Sequence, residues 1–242
     1  MIEIENIETM GWSAAIRGMR NPMNSWKKSD SHWDYFPPRD DRYCVVQKAR
    51  DEEYVIGPND RDLMLRLRKA GSDHRKFMRM IVVYMDITAP LYWWKEFDTY
   101  KVGTVANSCS TMHKIAAKEF TLDDFSRDHL YEGNDFKEMC FSANVCSKAL
   151  TATDALKIII DALNNYREQY LVTKDKSDWW QMIQLLPSSY NQKRTVMLNY
   201  EVLANIYAAR KDHKLNEWRT FCDMCCTLPI SELITGGNEN DI

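Results

Sequence analysis

Apolar residues recur along this chain at two periods, and the periods divide it into elements. Between residues 153 and 171, Leu156, Ile159, Ile160, Leu163, Tyr166 and Tyr170 follow one another at mostly helical intervals. That spacing lines one helix face, and Thr153 is a suitable cap. A second helix is predicted from a cap at Ser177 to a stop at Pro187, because proline cannot continue a helix. Asn59 suits the start of a third. Asp60 and Asp62 fit its first turn, Leu63, Leu67 and Ala70 share a face, and Gly71 ends it. Helical patterning also covers residues 8–20, 199–210 and 215–226, with Ala14, Ala15 and Ile16 in the first and Val202, Ile206 and Ala209 in the second. The run from Arg79 to Asp86 is β-branched and apolar instead, as a buried strand requires, and residues 190–198 look extended. A short helix is predicted from Ala89, with Pro90 tolerated in its first turn.

Two stretches break the pattern. Residues 21–58 mix proline and aspartate with Trp26, Trp33, Tyr35 and Phe36, which reads as a loop excursion longer than an ordinary connection. Residues 99–112 carry Gly, Thr, Asn and Ser and read as a loop. Residues 118–147 give no clear assignment. Strands alternating with helices make this an α/β (α+β) chain. At 242 residues it can bury roughly 70% or more of its unfolded surface, so one domain, 1–242, is expected.

Composition narrows the function classes. A net charge of −3 gives no basic balance for general nucleic-acid binding. The densest apolar stretch, Ile81 to Trp94, is interrupted by Asp86, Thr88 and Pro90, so no membrane span is expected. The acidic start, Met1 to Asn6, lacks a basic head and an apolar run, and the seven Cys are an odd number. A cytoplasmic setting with reduced thiols is expected. Cys222, Cys225 and Cys226 invite a metal reading, but no second ligand pair stands at zinc spacing; thiols buried on one helix face are the alternative, and no metal is expected.

There is no phosphate-binding glycine loop, nucleophile elbow or paired-His motif. Polar groups concentrate in two segments. Ala89–Met112 runs from a strand through a helix into a loop dense in hydroxyls and amides, where backbone and side-chain donors can meet phosphate and Lys95 and Lys101 can neutralise it. An ordinary helix-to-loop junction with caps is the competing reading. In Asn199–Lys214, Arg210 and Lys214 are four apart and can grip one anion, or they decorate a solvated helix end.

Taken together, the two segments resemble the flavin-dependent thymidylate synthase family. Ala89-Pro90-Leu91 matches the family's A-P-apolar opening. Lys95-Glu96-Phe97 stands at its R-Q-W, Thr99-Tyr100-Lys101 at R-H-R, and Thr104 at the first Ser of R-H-R-x-x-S-x-N-E-x-S-x-R. With one inserted residue, Asn107, Ser108, Ser110 and Met112 stand at Asn, Glu, the second Ser and the last Arg. Leu186-Pro187 followed by Asn199, Asn205 and Arg210 matches the family's L-P and N-x5-N-x4-R spacing. Lys214 falls where the family has His, and His74 resembles the His before the central strand.

The resemblance implies a central sheet with flanking helices, and a homotetramer that binds FAD and a deoxyuridine-type pyrimidine nucleotide between subunits. A folate donates one carbon, reduced nicotinamide reduces the flavin, and the flavin gives hydride. Carried onto this sequence, the cofactor-binding positions are His74, Tyr100, Lys101, Thr104, Asn199 and Asn205. The nucleotide-binding positions are Lys95, Glu96, Asn107, Ser108, Ser110, Arg210 and Lys214, with Ser110 the catalytic candidate beside the pyrimidine. Thr99 and Met112 lack the guanidinium groups of the family pattern. Two functions are therefore expected: a flavin-dependent nucleotide methyltransferase, or a homologue that binds or sequesters a nucleotide without methylating it.

Overall fold

The computed structural model describes residues 2–35, 52–132 and 151–237. Its elements run β1 (Glu3–Met10), α1 (Trp12–Arg20), β2 (His32–Tyr35), β3 (Glu52–Val55), α2 (Pro58–Lys69), β4 (Val82–Pro90), α3 (Leu91–Phe97), β5 (Val105–Ser108), α4 (Thr111–Lys114), α5 (Ala152–Thr173), α6 (Lys176–Leu185), β6 (Asn191–Asn199), α7 (Tyr200–Arg210), α8 (Asn216–Thr227) and α9 (Glu232–Thr235). Four strands form a sheet in the order β1-β4-β6-β5, and β2 pairs antiparallel with β3, His32 opposite Val55. Mixed helix and sheet is what the residue pattern predicts. Among the described residues no helix is long and apolar enough to cross a membrane.

The boundaries show which local forces decide. The helix predicted over 8–20 starts only at Trp12, because residues 3–10 are a strand and Gly11 intervenes at φ 97. A side chain at Gly11 would run into the Met80 carbonyl. The strand predicted from Arg79 starts at Val82, after a 3-10 turn over Arg75–Met80, and runs on through Pro90 so that the next helix begins at Leu91, not Ala89. Asn59 is not the cap of α2; Gly57 is, with Pro58 in the first turn. The capping positions of α5 and α6 likewise fall two residues before those predicted, at Thr151 and Asp175. Loop 99–112 contains β5 and the start of α4. The excursion at 21–58 contains β2 and β3, and its residues 36–51 lie outside the described residues, as do 133–147 of the unassigned stretch.

The chain divides into two compact units. The first comprises Met1–Glu5, Asp86–Thr99 and Ala106–Val196. Its core includes Ile115, Phe120, Phe125, Leu156, Ile160, Leu163 and Met182, where α5 packs on α6. Thr151 and Asp154 form a capping box that starts α5. Asn164 then ties the preceding chain to this helix, accepting from Phe120 N at 2.8 Å and donating to Phe120 O at 2.9 Å.

The second unit comprises Asn6–Met85, Tyr100–Val105 and Met197–Ile242. Here α7 packs against α8, α9 and the 3-10 turn before β4. Its interior holds Trp218, Tyr200, Phe221, Met64 and Met78, and also one buried ion pair. Arg20 donates to Asp60 at 2.6 Å, while Ser29 and Ser31 hydroxyls reach the other carboxylate oxygen at 2.7 Å each. A buried charge is tolerable only when so completely satisfied. This pair ties α1 and the start of the excursion to α2.

Candidate flavin and nucleotide site

The second unit brings Tyr100–Val105, a short part of the first family-like segment, against the second segment. Asn199 is the N-cap of α7: its Oδ1 accepts from Val202 N at 3.0 Å, and its Nδ2 donates to Gly103 O at 3.5 Å. Gly103 has φ 78, and a Cβ there would lie 2.6 Å from Asn199 Nδ2. Glycine therefore permits both the turn and the close approach. Eleven residues on from Asn199, Arg210 closes α7 and reaches the same loop, its Nε donating to Tyr100 Oη at 2.9 Å. Its guanidinium lies 5.7 Å over the Tyr100 ring and 4.8 Å over the buried Trp218 ring. Tyr100 and Trp218 meet edge-on at 6.1 Å, so the cation is held against two fixed rings.

Between those two anchors the loop carries Lys101, exposed, and Thr104 follows directly after the second. Thr104 Oγ1 is a buried hydroxyl without a hydrogen-bond partner among the described residues. Asn205 sits on α7 and accepts from Arg75 Nη2 at 3.1 Å. The same Arg75 contacts Glu201 at 3.4 Å, and Arg79 also pairs with that carboxylate. Glu201 is buried in the first turn of α7. Burial opposes its charge, but the Arg79 and Arg75 contacts outweigh burial and hold its carboxyl below the usual range. His74 precedes this arginine turn and is exposed.

One sequence expectation fails here. Arg210 and Lys214 do not share a helix face, because α7 ends at Arg210 and Lys214 lies in the bend beyond. The four-residue grip on an anion needs a continuing helix, and none continues.

The first unit holds the remaining candidates. Lys95 and Glu96 lie on α3, and Asn107 and Ser108 on the exposed β5. Ser110 caps the short α4, its Oγ accepting from His113 N at 3.0 Å. Of these, only Ser110 lines a cleft of about 330 Å³ with Cys109, Tyr190, Lys118 and Asp124. Lys118 pairs with Asp124 there, and burial raises the Tyr190 phenol above its ordinary range, with Asp124 adding to it. In the same unit, Arg194 stacks 4.1 Å over Trp94 and binds Asp98 at 2.7 Å.

Cys222 and Cys225 are buried in α8, as the thiol reading expects, whereas Cys226 is exposed. Burial pushes the Cys222 thiol up to about 12. Among the described residues no group of three or more His, Cys, Asp or Glu is placed to hold a metal ion.

Arg75, Arg79, Glu201, Gly103 and Trp218 were not singled out by the sequence. The first two were legible only as arginines four apart before a strand. The last two have no sequence signal, since their role depends on what they touch.

In three dimensions the chain is similar to flavin-dependent thymidylate synthase from Helicobacter pylori complexed with FAD and dUMP. The TM-score is 0.61 at 16% identity, over 96% of this chain and 97% of that one. A second structure of the Helicobacter pylori enzyme with FAD and dUMP gives 0.59 at 15% identity, over 97% of each chain. The UMP/dUMP methylase PolB from Streptomyces cacaoi, bound with 5-Br UMP, gives 0.56 at 10% identity, over 98% of this chain and 94% of that one. No protein-family model matches, and no curated protein matches by sequence. The chain therefore has the flavin-dependent thymidylate synthase fold, as the resemblance implied.

Proposed function

We propose that this protein binds FAD and a deoxyuridine-type nucleotide at a site built from the Tyr100–Thr104 loop and α7. The observation that carries the proposal is the double tether of that loop, by Asn199 at one end of α7 and Arg210 at the other. Neighbours of the same fold were solved with FAD and dUMP, or with 5-Br UMP. The residues present fit a flavin nucleotide: Thr104 Oγ1 is a buried hydroxyl with no partner among the described residues, and Lys101 is an exposed cation on the same loop.

In this reading Asn199 and Gly103 fix the loop, Thr104 and Lys101 take the flavin diphosphate, and His74 and Asn205 complete the cofactor side. Arg210 is pre-oriented by Tyr100 and Trp218 and takes the nucleotide phosphate, with Lys214 beyond it, and in a homotetramer Lys95, Asn107 and Ser108 of another subunit supply further polar contacts. Reduced FAD, when bound, supplies hydride for the one-carbon transfer.

Two observations favour a second reading, in which the site binds without methylating. Met112 stands at the last signature arginine and is exposed, and the Ser110 hydroxyl already accepts from the backbone of α4. Titration with FAD followed by flavin fluorescence tests the binding claim: no change up to high micromolar FAD would remove it. Labelled-methylene transfer to dUMP, with methylenetetrahydrofolate and reduced nicotinamide present, then separates the two readings.

A further inference from the structure

The long excursion between α1 and α2 carries aromatic residues that the flavin reading leaves unused. Two of them, Trp26 and Trp33, are 49% and 47% exposed, although tryptophan is highly buried on average. Both line a cavity of about 250 Å³ that lies wholly in the second unit. Facing them is one side of α1, where Ser13, Ile16, Arg17 and Arg20 fall at helical spacing, and Tyr54 of β3 completes the wall. At this size the cavity falls below the ~300–1,000 Å³ of small-molecule sites. It suits one large side chain, the kind of anchor that a partner protein buries in a pocket.

The walls are fixed before anything binds. Trp26 Nε1 donates to Asn21 Oδ1 at 2.8 Å. Trp33 packs edge-on at 4.9 Å against Tyr54, its partner across the β2–β3 ribbon. Ser31 Oγ accepts from Gly57 N at 3.0 Å and donates to Asp60. Rings and hydroxyls held this way lose little freedom on association.

The charge around the cavity has one sign. No carboxylate lines it among the described residues. Arg20 is neutralised by Asp60, and His32 lies 3.0 Å from Asp34. Arg17 is the open cation: it is exposed, its Nη1 donates to Ser13 Oγ at 2.8 Å, and no carboxylate of the described residues pairs with it. Lys27 and Lys28 follow Trp26 on the same 3-10 turn and are exposed. The nearby Asp30 is turned to α2, where it accepts from Asn59 N at 2.9 Å and Asp60 N at 3.1 Å. Trp, Tyr and Arg are the side chains that dominate protein interfaces, and a basic rim selects an acidic partner.

We propose that this cavity docks an acidic peptide segment of another protein, which seats one large apolar side chain against Trp26 and Trp33 and a neighbouring carboxylate on Arg17. None of the residues placed in the flavin and nucleotide site lines the cavity, so the proposal does not rest on that reading.

The probe is the capped pentapeptide Glu-Glu-Phe-Glu-Glu, with Glu-Glu-Ala-Glu-Glu and Lys-Lys-Phe-Lys-Lys as controls, read by tryptophan fluorescence and amide NMR shifts. The full-length protein should bind the probe saturably, with shifts at residues 13–20, 26–33 and 54, and bind both controls about tenfold more weakly or worse. Arg17→Glu should raise the Kd of the probe about tenfold or more. Arg17→Gln should act in the same direction with an unchanged Tm, and Arg210→Ala should have no effect. No saturable binding up to millimolar probe would overturn the proposal, as would equal binding of the three peptides, unchanged affinity in both Arg17 variants, or shifts elsewhere in the chain. Light scattering in which Trp33→Ala dissociates an oligomer would also overturn it, because a second copy of this chain would then be the occupant.

Discussion

Arg210 shows how one side chain gains meaning from its surroundings. In sequence it is a basic residue near a helix end; in the structure it is held by Tyr100 Oη and two ring faces. With Thr99 and Met112 in place of arginines, it should carry an unusually large share of phosphate recognition. Arg210→Ala should weaken binding of dUMP by about 1.5–3 kcal/mol, roughly 10- to 150-fold, and leave deoxyuridine almost unaffected. Arg210→Lys should recover part of that loss, since a point charge replaces a planar fork. Calorimetry on wild type and both variants checks this, and equal dUMP affinities would reduce Arg210 to a helix-end packing group. The buried Asp60 gives a second residue-scale prediction, one about stability. Asp60→Ala leaves Arg20 uncompensated in the interior and should cost about 3–5 kcal/mol, read by urea unfolding.

Legibility differs from element to element for physical reasons. The amphipathic stripe of α5 and the extended character of residues 190–198 were strong enough to place α5 and β6 within about two residues. Strand β1 was missed although Ile2, Glu3, Ile4 and Glu5 alternate, because Asn6 at φ 52 breaks the alternation and throws Ile7 out of phase. Strand β5 is four exposed residues, and no apolar period exists to read. The site was half legible: spacing pointed to Asn199 and Arg210, but only packing shows that both tether the 100–104 loop. Because Asn199 caps α7 and holds Gly103 together, its replacement should act on both. Asn199→Ala should lose about 1 kcal/mol of stability with the cap and weaken FAD binding as well. Asn199→Asp, which keeps the capping oxygen but loses the amide donor to Gly103, should restore stability without restoring FAD affinity. Thermal unfolding and flavin titration on the two variants separate the effects, and parallel recovery of both would show that the cap alone matters.

For the whole molecule, pH and assembly are the accessible variables. Burial works against the Asp60 carboxylate, yet hydrogen bonds from Ser29, Ser31 and Arg20 hold its pKa below the ordinary value. The Glu201 carboxyl is also depressed. A depressed folded value means the stabilisation is present above the unfolded pKa values of roughly 3.9 and 4.3 and is lost as pH falls through the folded ones. The Tm should therefore be insensitive to these groups from pH 5 to 7 by about this reckoning and fall steeply below about pH 4. Asp60→Asn should flatten part of that fall, and an unchanged slope would remove Asp60 from the account. If the site is shared between subunits, as in the family, light scattering should report a tetramer of this 28.5 kDa chain. The central claim is that the tethered loop and α7 form a flavin site, and a direct test is FAD titration of the purified protein beside its Asn199→Ala variant. The account predicts saturable quenching of flavin fluorescence by the wild type and clearly weaker quenching by the variant; identical curves, or no quenching by either, would contradict it.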